Sequence, residues 1–363
     1  MTVTRSSTST ETSGRPTIPW AWYSDPSILS AELERIFRCS WQYAGHLGDL
    51  QGPGSYFPSA TGPVPIVITM DAEGALHGFV NVCRHRGAIV ATEPARRGTL
   101  QCPYHAWTYN LDGRLRGAPR SAEDPAFAAG CLGLRPVSVD TWGPFVFANP
   151  DPGAGALASA LGDLPEVVAA HGLDVETLRF NGRFTYEINA NWKIAIENYL
   201  ECYHCPVNHP GLVEVIDERR LEVEAIGLRT SQFYPAHPRS LEGRGPFDVQ
   251  GELTSGQNHL WFPNLKFNVL PGHPNLSIGP LWPTSEATCA GYLDYWFAED
   301  VEQSWIDDLY ELDARVGDED TALVEAAHRG TSSGMVEAGW VLGGTESLIG
   351  YFQDYLRARL GAA

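Results

Sequence analysis

Residues 81–109 read NVCRHRGAIVATEPARRGTLQCPYHAWTY, and this stretch decides the fold of the first half of the chain. It contains Cys83-Arg84-His85 and, after an interval of sixteen residues, Cys102-Pro103-Tyr104-His105. Short strand-like runs separated by Gly and Pro surround both pairs, so each pair is expected on a loop between strands. Two mixed Cys/His pairs can bind zinc or an iron–sulfur cluster, although a zinc ribbon more often has Cys-X2-Cys spacing.

The two pairs meet the ligand requirement of a Rieske [2Fe–2S] centre, in which two thiolates hold one iron and two imidazoles hold the other. Cys83 and Cys102 would hold the inner iron, and His85 and His105 the outer one. The residues around both pairs closely resemble the two cluster-binding motifs of the Rieske non-haem iron oxygenases. One departure is Ala106, where the family usually has Gly.

A second candidate metal site lies in residues 191–211, NWKIAIENYLECYHCPVNHPG. His204 lies at the end of a predicted helical stretch, 192–203. His209 follows five residues later, beyond Pro206, which ends a helix and can turn the second imidazole back toward the first. Two His and one carboxylate on one face of an iron form the facial triad that activates dioxygen.

This second segment resembles the catalytic-iron motif of the same oxygenase family. The resemblance implies that His204 and His209 are iron ligands and that Asn198 lies close to the metal. It also implies that Glu201 takes the place of the family's bridging carboxylate, which links the iron site of one subunit to a Rieske histidine of its neighbour. Many members have Asp there. Glu in this context is more like the branch that oxidises quaternary ammonium compounds such as carnitine, choline and betaines.

The third iron ligand must be a distant carboxylate, and Asp320 is the favoured candidate. Residues 320–330, DTALVEAAHRG, resemble the family's late helix, in which an Asp at the first position ligates the iron. His328 departs from the usual Gln. Asp318 and Glu319 are competing candidates, because a run of acidic residues is usually a solvated face.

The sequence predicts an α+β protein, with an N-terminal Rieske all-β domain followed by an α+β catalytic domain around a central antiparallel sheet. A polar, Ser/Thr-rich start predicts a disordered tail. The predicted parts are a disordered tail (1–15), an N-terminal helical segment packed on the catalytic domain (16–40), the Rieske domain (41–155) and the catalytic domain with mononuclear iron (156–363).

Charge and cysteine content restrict the class of protein. The chain has 25 basic and 44 acidic residues among 363, a net charge of −19, which disfavours binding to nucleic acid or anionic membranes. No secretory signal or membrane-spanning run is visible, so a cytoplasmic location is expected. In that setting the seven cysteines are expected as metal ligands or thiols, and Cys202 and Cys205 as buried neutral thiols.

The resemblance implies a terminal oxygenase that uses O2 and electrons from a separate NAD(P)H-dependent reductase containing flavin or an iron–sulfur centre. It also implies a homotrimer with electron transfer between subunits, and a small organic substrate. The branch with Glu201 favours monooxygenation next to nitrogen, with N-demethylation or C–N cleavage. An aromatic-ring hydroxylating oxygenase is one alternative, and a Rieske electron-transfer protein without oxygenase activity is another.

Aromatic residues are dense in the strand-like runs of the second half of the chain. They could form a cage for a quaternary ammonium ion by cation–π attraction, although sheet core is the more frequent role. These residues are Trp261, Phe262, Phe267, Trp282, Tyr292, Tyr295 and Trp296.

Overall fold

The computed structural model of the chain describes residues 13–361. Two seven-stranded antiparallel sheets, one in each half of the chain, dominate the fold, and most of the helical residues follow the first sheet. The predicted α+β class is therefore confirmed. The α-helices are Pro26–Glu32 (α1), Leu157–Leu161 (α2), Leu164–Ala170 (α3), Trp192–Tyr199 (α4), Cys205–Asn208 (α5), Pro238–Leu241 (α6), Gln303–Thr331 (α7) and Ser347–Leu360 (α8).

The first half of the chain forms a β domain with two sheets, one of seven strands and one of three. The loop of Cys102 connects the first two strands of the small sheet. The large sheet contains, in spatial order, Gln42–His46, Phe145–Asn149, Pro136–Trp142, Leu76–Val80, Val64–Met70, Ser55–Thr61 and Ala95–Arg96. The small sheet contains Thr99–Gln101, Thr108–Asn110 and Leu115–Gly117.

The second half of the chain is built around the other seven-stranded sheet. Its residues alternate between a core face and an open face, as expected for antiparallel strands. In Leu265–Val269, Phe267 packs in the hydrophobic core, whereas Lys266 and Asn268 face a cavity. The strands in spatial order are Leu178–Ile188, Cys289–Ala298, Asn275–Pro283, Leu265–Val269, Ser255–Trp261, Arg229–Pro235 and Glu222–Ile226.

The N-terminal segment packs on α4 through a buried ion pair. Glu32 on α1 and Lys193 on α4 are fully buried, and Lys193 Nζ lies 2.6 Å from Glu32 Oε1. The Trp192 indole N–H donates to the other carboxylate oxygen at 2.8 Å. Because removal of one partner would leave a buried charge without compensation, this contact orients α4 specifically.

The two large sheets share one hydrophobic core. Tyr43 and Phe147 of the β domain lie in the same buried cluster as Trp261 and Phe267 of the second sheet. The Tyr43 hydroxyl also donates to Asp294 Oδ2 at 2.6 Å. The two domains are therefore joined by buried side-chain contacts as well as by the chain.

The predicted disordered tail lies mostly outside the described residues, which begin at residue 13. The predicted tail extends to Arg15, and this boundary is wrong. Arg15 belongs to the short strand Arg15–Pro16 and pairs with Val341. The Arg15 guanidinium also lies 2.8 Å from Asp354 of α8, so a charged contact fixes this position. Among residues 13–361, no helix is both long and apolar enough to cross a membrane.

Candidate metal centres and substrate cavity

The two Cys/His loops of the β domain have the same backbone pattern. In the first loop the Cys83 amide donates to the Ala88 carbonyl at 2.8 Å, and the Gly87 amide donates to the Cys83 carbonyl at 3.0 Å. In the second loop the Cys102 amide donates to the Trp107 carbonyl at 2.8 Å, and the Ala106 amide donates to the Cys102 carbonyl at 3.0 Å. Each loop therefore closes tightly around its cysteine and presents its histidine two or three residues later.

The four candidate cluster ligands divide by exposure. Cys83 and Cys102 are each 2% exposed, whereas His85 and His105 are exposed and their ring centroids lie 4.7 Å apart. Trp107 stacks on His85 with 4.8 Å between ring centroids. Two buried sulfurs below two outward imidazoles fit a Rieske cluster, whose iron on the histidine side faces solvent.

Tyr109 adds a hydrogen bond to the sulfur of the inner pair. Its hydroxyl oxygen accepts the backbone N–H of Arg84 at 3.0 Å and lies 3.2 Å from Cys83 Sγ. Because a cluster-bound thiolate has no proton, the Tyr109 hydroxyl would be the donor to this sulfur. Hydrogen bonds to cluster sulfurs raise the reduction potential, so this contact favours the reduced cluster.

Three side chains converge at the second candidate centre. His204 Nε2 and His209 Nε2 lie 3.0 Å apart, and Asp320 Oδ1 lies 3.3 Å from the first and 3.0 Å from the second. The three residues form a group with the spacing of metal ligands. Two imidazole nitrogens and one carboxylate oxygen are the donor set of the facial triad, so these residues fit a mononuclear iron.

The far side of each imidazole is held by a carboxylate. His204 Nδ1 lies 2.5 Å from Glu201 Oε1, and His209 Nδ1 lies 2.7 Å from Glu319 Oε2. Asn198 Nδ2 donates to Asp320 Oδ1 at 2.7 Å. Such partners orient ligand rings and make their inner nitrogens better donors. The sequence offered Glu319 only as a competing ligand, whereas the structure brings it to the outer nitrogen of His209.

The local sequence explains how these residues meet. Pro206 lies in the first turn of the short helix α5 rather than at the end of a helix, and in a first turn a proline lacks no hydrogen bond. Helix α4 ends at Tyr199, and α5 begins at Cys205, so the chain turns sharply between them. The turn brings Cys202 and Cys205 together in a disulfide with 4.9 Å between Cα atoms. The expectation of two neutral thiols is wrong, because this turn brings the two Cα atoms within the normal range for a disulfide.

The charges of the triad support one another in the metal-free chain. Burial opposes protonation of His204, but hydrogen bonds with Asp320 and Glu201 outweigh it and raise its pKa to about 9. Burial also opposes ionisation of Asp320, yet bonds from His204, His209 and Asn198 hold its pKa well below its usual range. A metal at this position would displace protons from the imidazoles, so its binding is expected to release protons.

A cavity of about 940 Å³ opens onto this triad. Of the seven aromatic residues that the sequence offered for a cage, only Tyr295 lines it. The others belong to the hydrophobic core or its margin, because they occupy the opposite faces of the strands or pack against α8. The aromatic residues that line the cavity are Phe184, Tyr186, Tyr199, Tyr234, Tyr295 and Tyr310.

Two cysteine–histidine loops followed by a facial triad beside a cavity define an iron-dependent oxygenase with a separate electron-accepting domain. The sequence matches the Rieske [2Fe-2S] domain over residues 40–137 and the ring hydroxylating alpha subunit (catalytic domain) over residues 175–362. The chain belongs to the Rieske non-haem iron oxygenases, and its cofactors are a Rieske [2Fe–2S] cluster and a mononuclear iron.

Known relatives extend over most of the chain. Choline monooxygenase from Beta vulgaris is 30% identical over 95% of this chain and 77% of its own length. The carnitine monooxygenase oxygenase subunit from Escherichia coli (strain K12) is 32% identical over 87% of this chain and 84% of its own length. A solved quaternary ammonium Rieske monooxygenase, described in terms of carnitine oxidation and inter-subunit electron transfer, is 27% identical with a TM-score of 0.85. It covers 96% of this chain and 97% of its own.

Proposed function

We propose that this chain is the terminal oxygenase of a system that monooxygenates a quaternary ammonium compound at a carbon next to nitrogen. One oxygen atom of O2 enters the C–H bond, and the other leaves as water after two electrons and two protons are supplied. The product would then lose a methyl group or break its C–N bond. The observation that carries the proposal is the convergence of His204, His209 and Asp320 at the wall of the cavity.

The residue roles follow from the donor types and their partners. Cys83, Cys102, His85 and His105 would hold the cluster, and the triad would hold an iron that supplies oxygen activation when bound. Glu201 and Glu319 would keep their histidine partners in one orientation and one tautomer. Asn198 would keep Asp320 turned toward the two imidazoles.

The cavity wall is suited to a cationic group. Tyrosine rings attract quaternary ammonium ions through their faces, and several carboxylates add negative charge. The named relatives act on choline and carnitine, both of which carry a trimethylammonium group. A flat apolar arene would gain little from these carboxylates, so aromatic-ring hydroxylation is the weaker alternative.

The assembly that we propose is a cytoplasmic homotrimer served by a separate NAD(P)H-dependent reductase. In that arrangement Glu201 would bridge His204 of one subunit and a cluster histidine of the next. Supporting this, Glu201 already holds the outer nitrogen of His204, while His85 and His105 face outward. A solved relative is described in terms of inter-subunit electron transfer.

Anaerobic reconstitution with iron and a surrogate reductase tests the function. Products from a panel of carnitine, betaines, choline and aromatic acids would be identified by mass spectrometry. We expect about three irons per chain and oxidation of quaternary ammonium compounds. His204→Ala should lose one iron and all oxygenation while the cluster spectrum stays unchanged.

Two results would contradict the proposal. Ring-hydroxylated products without oxidation of any quaternary compound would favour the aromatic alternative. If each chain held only the two irons of the cluster and consumed no oxygen, the result would favour an electron-transfer protein. His237→Ala, a change of a histidine outside the cavity, provides the matched control and should keep full iron content and activity.

A further inference from the structure

Lys266 is an unusual residue for this chain. The chain contains two lysines, and the other one, Lys193, is fully buried against Glu32. Lys266 lies on the strand Leu265–Val269 and points to the face that lines the cavity. A primary ammonium group is thus introduced into the same cavity that contains the triad.

The ammonium group of Lys266 rests on aromatic rings rather than on a carboxylate. Its Nζ lies 4.6 Å from the ring centroid of Tyr186 and 5.9 Å from that of Tyr199. Within residues 13–361 it forms no ion pair and donates no hydrogen bond. The two histidines of the cavity wall belong to the triad, and its arginine, Arg183, is paired with Asp294 at 2.5 Å. Lys266 is therefore the cavity cation that is free to bind an anion.

A neighbouring acid does not serve as its counter-ion. Asp313 lines the same cavity, but its carboxylate accepts a hydrogen bond from the Tyr295 hydroxyl at 2.9 Å. Burial raises the pKa of Asp313 by more than the bond from Tyr295 and the nearby charge of Lys266 lower it, so the ionised form of Asp313 is disfavoured. A partly desolvated cation without a partner is costly, and an anionic group from a ligand would relieve that cost.

The charges of the cavity are arranged for a molecule with both signs. Near the triad the wall carries Asp318, an acid that is neither a triad member nor the partner of a triad histidine, whereas Lys266 lies on the sheet. Tyr199 lies between these two regions. It directly follows Asn198 on α4, and its hydroxyl donates to Asn268 Oδ1 at 2.5 Å on the strand that carries Lys266. The acidic region and Lys266 therefore face one continuous cavity.

We propose that Lys266 binds the carboxylate of a zwitterionic quaternary ammonium substrate and so selects betaine-type compounds over choline. This rests on the proposed function, since it assigns the second half of the same substrate. The carboxylate would lie at Lys266 with the ammonium end toward the triad. Choline lacks an anionic group, so its positive charge would meet that of Lys266 without compensation. A lone ammonium suits one carboxylate better than a phosphate dianion, which is typically held by several donors.

The first experiment compares substrates in the reconstituted holoenzyme with reductase. Lys266→Met removes the charge at similar length, and Lys266→Arg keeps it. Loss of one charged contact should lower kcat/KM for γ-butyrobetaine about 10- to 100-fold, while kcat/KM for choline stays equal or rises. Lys266→Arg should retain most of the preference. Arg244→Met, which removes an exposed arginine, is the matched control and should change neither value.

The second experiment leaves the chain unmutated. An amine-reactive acylating reagent, followed by peptide mapping, should label Lys266 and spare Lys193, because Lys193 is fully buried. γ-Butyrobetaine should protect Lys266 from the reagent, whereas choline and phosphocholine at equal concentration should not.

The outcomes separate this inference from the function on which it rests. If the wild type oxidises quaternary compounds but Lys266→Met lowers betaine and choline rates equally, or lowers neither, the inference is wrong and the function stands. Equal protection by choline, or better protection by phosphocholine, also overturns it. If the wild type oxidises no quaternary compound, the proposed function fails and the inference fails with it.

Discussion

Ala106 has a backbone conformation that glycine adopts with less strain. Its φ is +57°, and Gly87 occupies the equivalent position of the first loop with φ +75°. A side chain in the left-handed region costs about 1 kcal/mol, because Cβ approaches the following carbonyl oxygen. The second cluster loop therefore carries a strain that the first one avoids.

Exchange of the residue types at these two positions tests that strain. Ala106→Gly should stabilise the β domain by up to about 1 kcal/mol, and Gly87→Ala should destabilise it by about 1 kcal/mol. A Cβ added at Gly87 would meet no atom within 4 Å, so only backbone strain would act. Loss of cluster absorbance with rising urea concentration measures both effects. Equal urea midpoints for the wild type and both variants would show that a side chain at these two positions causes no measurable backbone strain.

At this scale the candidate metal ligands and the partner of His204 were predictable, whereas the partner of His209 was not. Cys83, His85, Cys102 and His105 have a ligand spacing that few other structures require. Glu319 could not be identified as a partner of His209 from sequence, because that depends on how α7 is rotated against α5. Lys266 has no sequence signature, since only the sheet topology brings its strand to the cavity.

Helix α4 carries a partly buried acid, Glu197, on the side that packs on the N-terminal segment and α8. The Tyr23 hydroxyl donates its one hydrogen between the two carboxylate oxygens of Glu197, which lie at 2.9 and 2.8 Å, and Gln353 Nε2 donates to Oε1 at 3.0 Å. Burial is the main cause that raises the pKa of Glu197 to about 7, although these bonds and Lys193 oppose the change. Ionisation of Glu197 therefore works against the packing of α4 on the N-terminal segment and α8.

The pH dependence of stability should reflect this residue. The folded pKa of about 7 exceeds the ordinary value of 4.5, so the folded chain binds more protons between these values. Stability is greatest below pH 4.5 as far as Glu197 is concerned, and it falls as the pH rises toward 7 and just above. The loss is about 3 kcal/mol at pH 8.

Glu197→Gln should remove this part of the dependence. Urea unfolding midpoints measured from pH 5 to pH 8 should fall less for the variant than for the wild type. Glu311→Gln, a change at a largely exposed acid of α7, is the control and should follow the wild type. A variant whose midpoints run parallel to those of the wild type would mean that Glu197 ionises normally.

At the scale of elements, regular strands were easier to predict than turns. The sequence predicted short strands around the Cys/His pairs, and the structure has the strands Thr99–Gln101 and Thr108–Asn110 beside the second pair. The helix expected over 192–203 ends earlier, at Tyr199. Residues after it form a turn whose shape depends on the contacts of Glu201 with backbone and imidazole, and local helical spacing does not encode such contacts.

The whole molecule places its two metal centres in different domains, and the proposed trimer would join them across a subunit boundary. Mixed oligomers test that proposal. Cys83→Ser should abolish the cluster, and His204→Ala should abolish the mononuclear iron, so each variant alone should be inactive. Coexpressed in equal amounts, they should recover about a quarter of wild-type activity if each cluster serves the iron of the next subunit in a ring.

The control for this experiment is a mixture of the two purified variants that is kept below the temperature of subunit exchange. It should remain inactive, because no oligomer then contains both kinds of chain. Coexpressed oligomers that are equally inactive, although both chains are present and folded, would mean that electrons stay within one chain.

The shared core between the two sheets also limits how such proteins can be recombined. Tyr43 and Phe147 pack against residues of the second sheet, and Tyr43 is bonded to Asp294. A chimera that takes its β domain from one relative and its catalytic domain from another would therefore combine two halves of different cores. Exchange of domains should succeed only when the residues on both sides of this contact are exchanged together, so the two halves are expected to evolve as one unit.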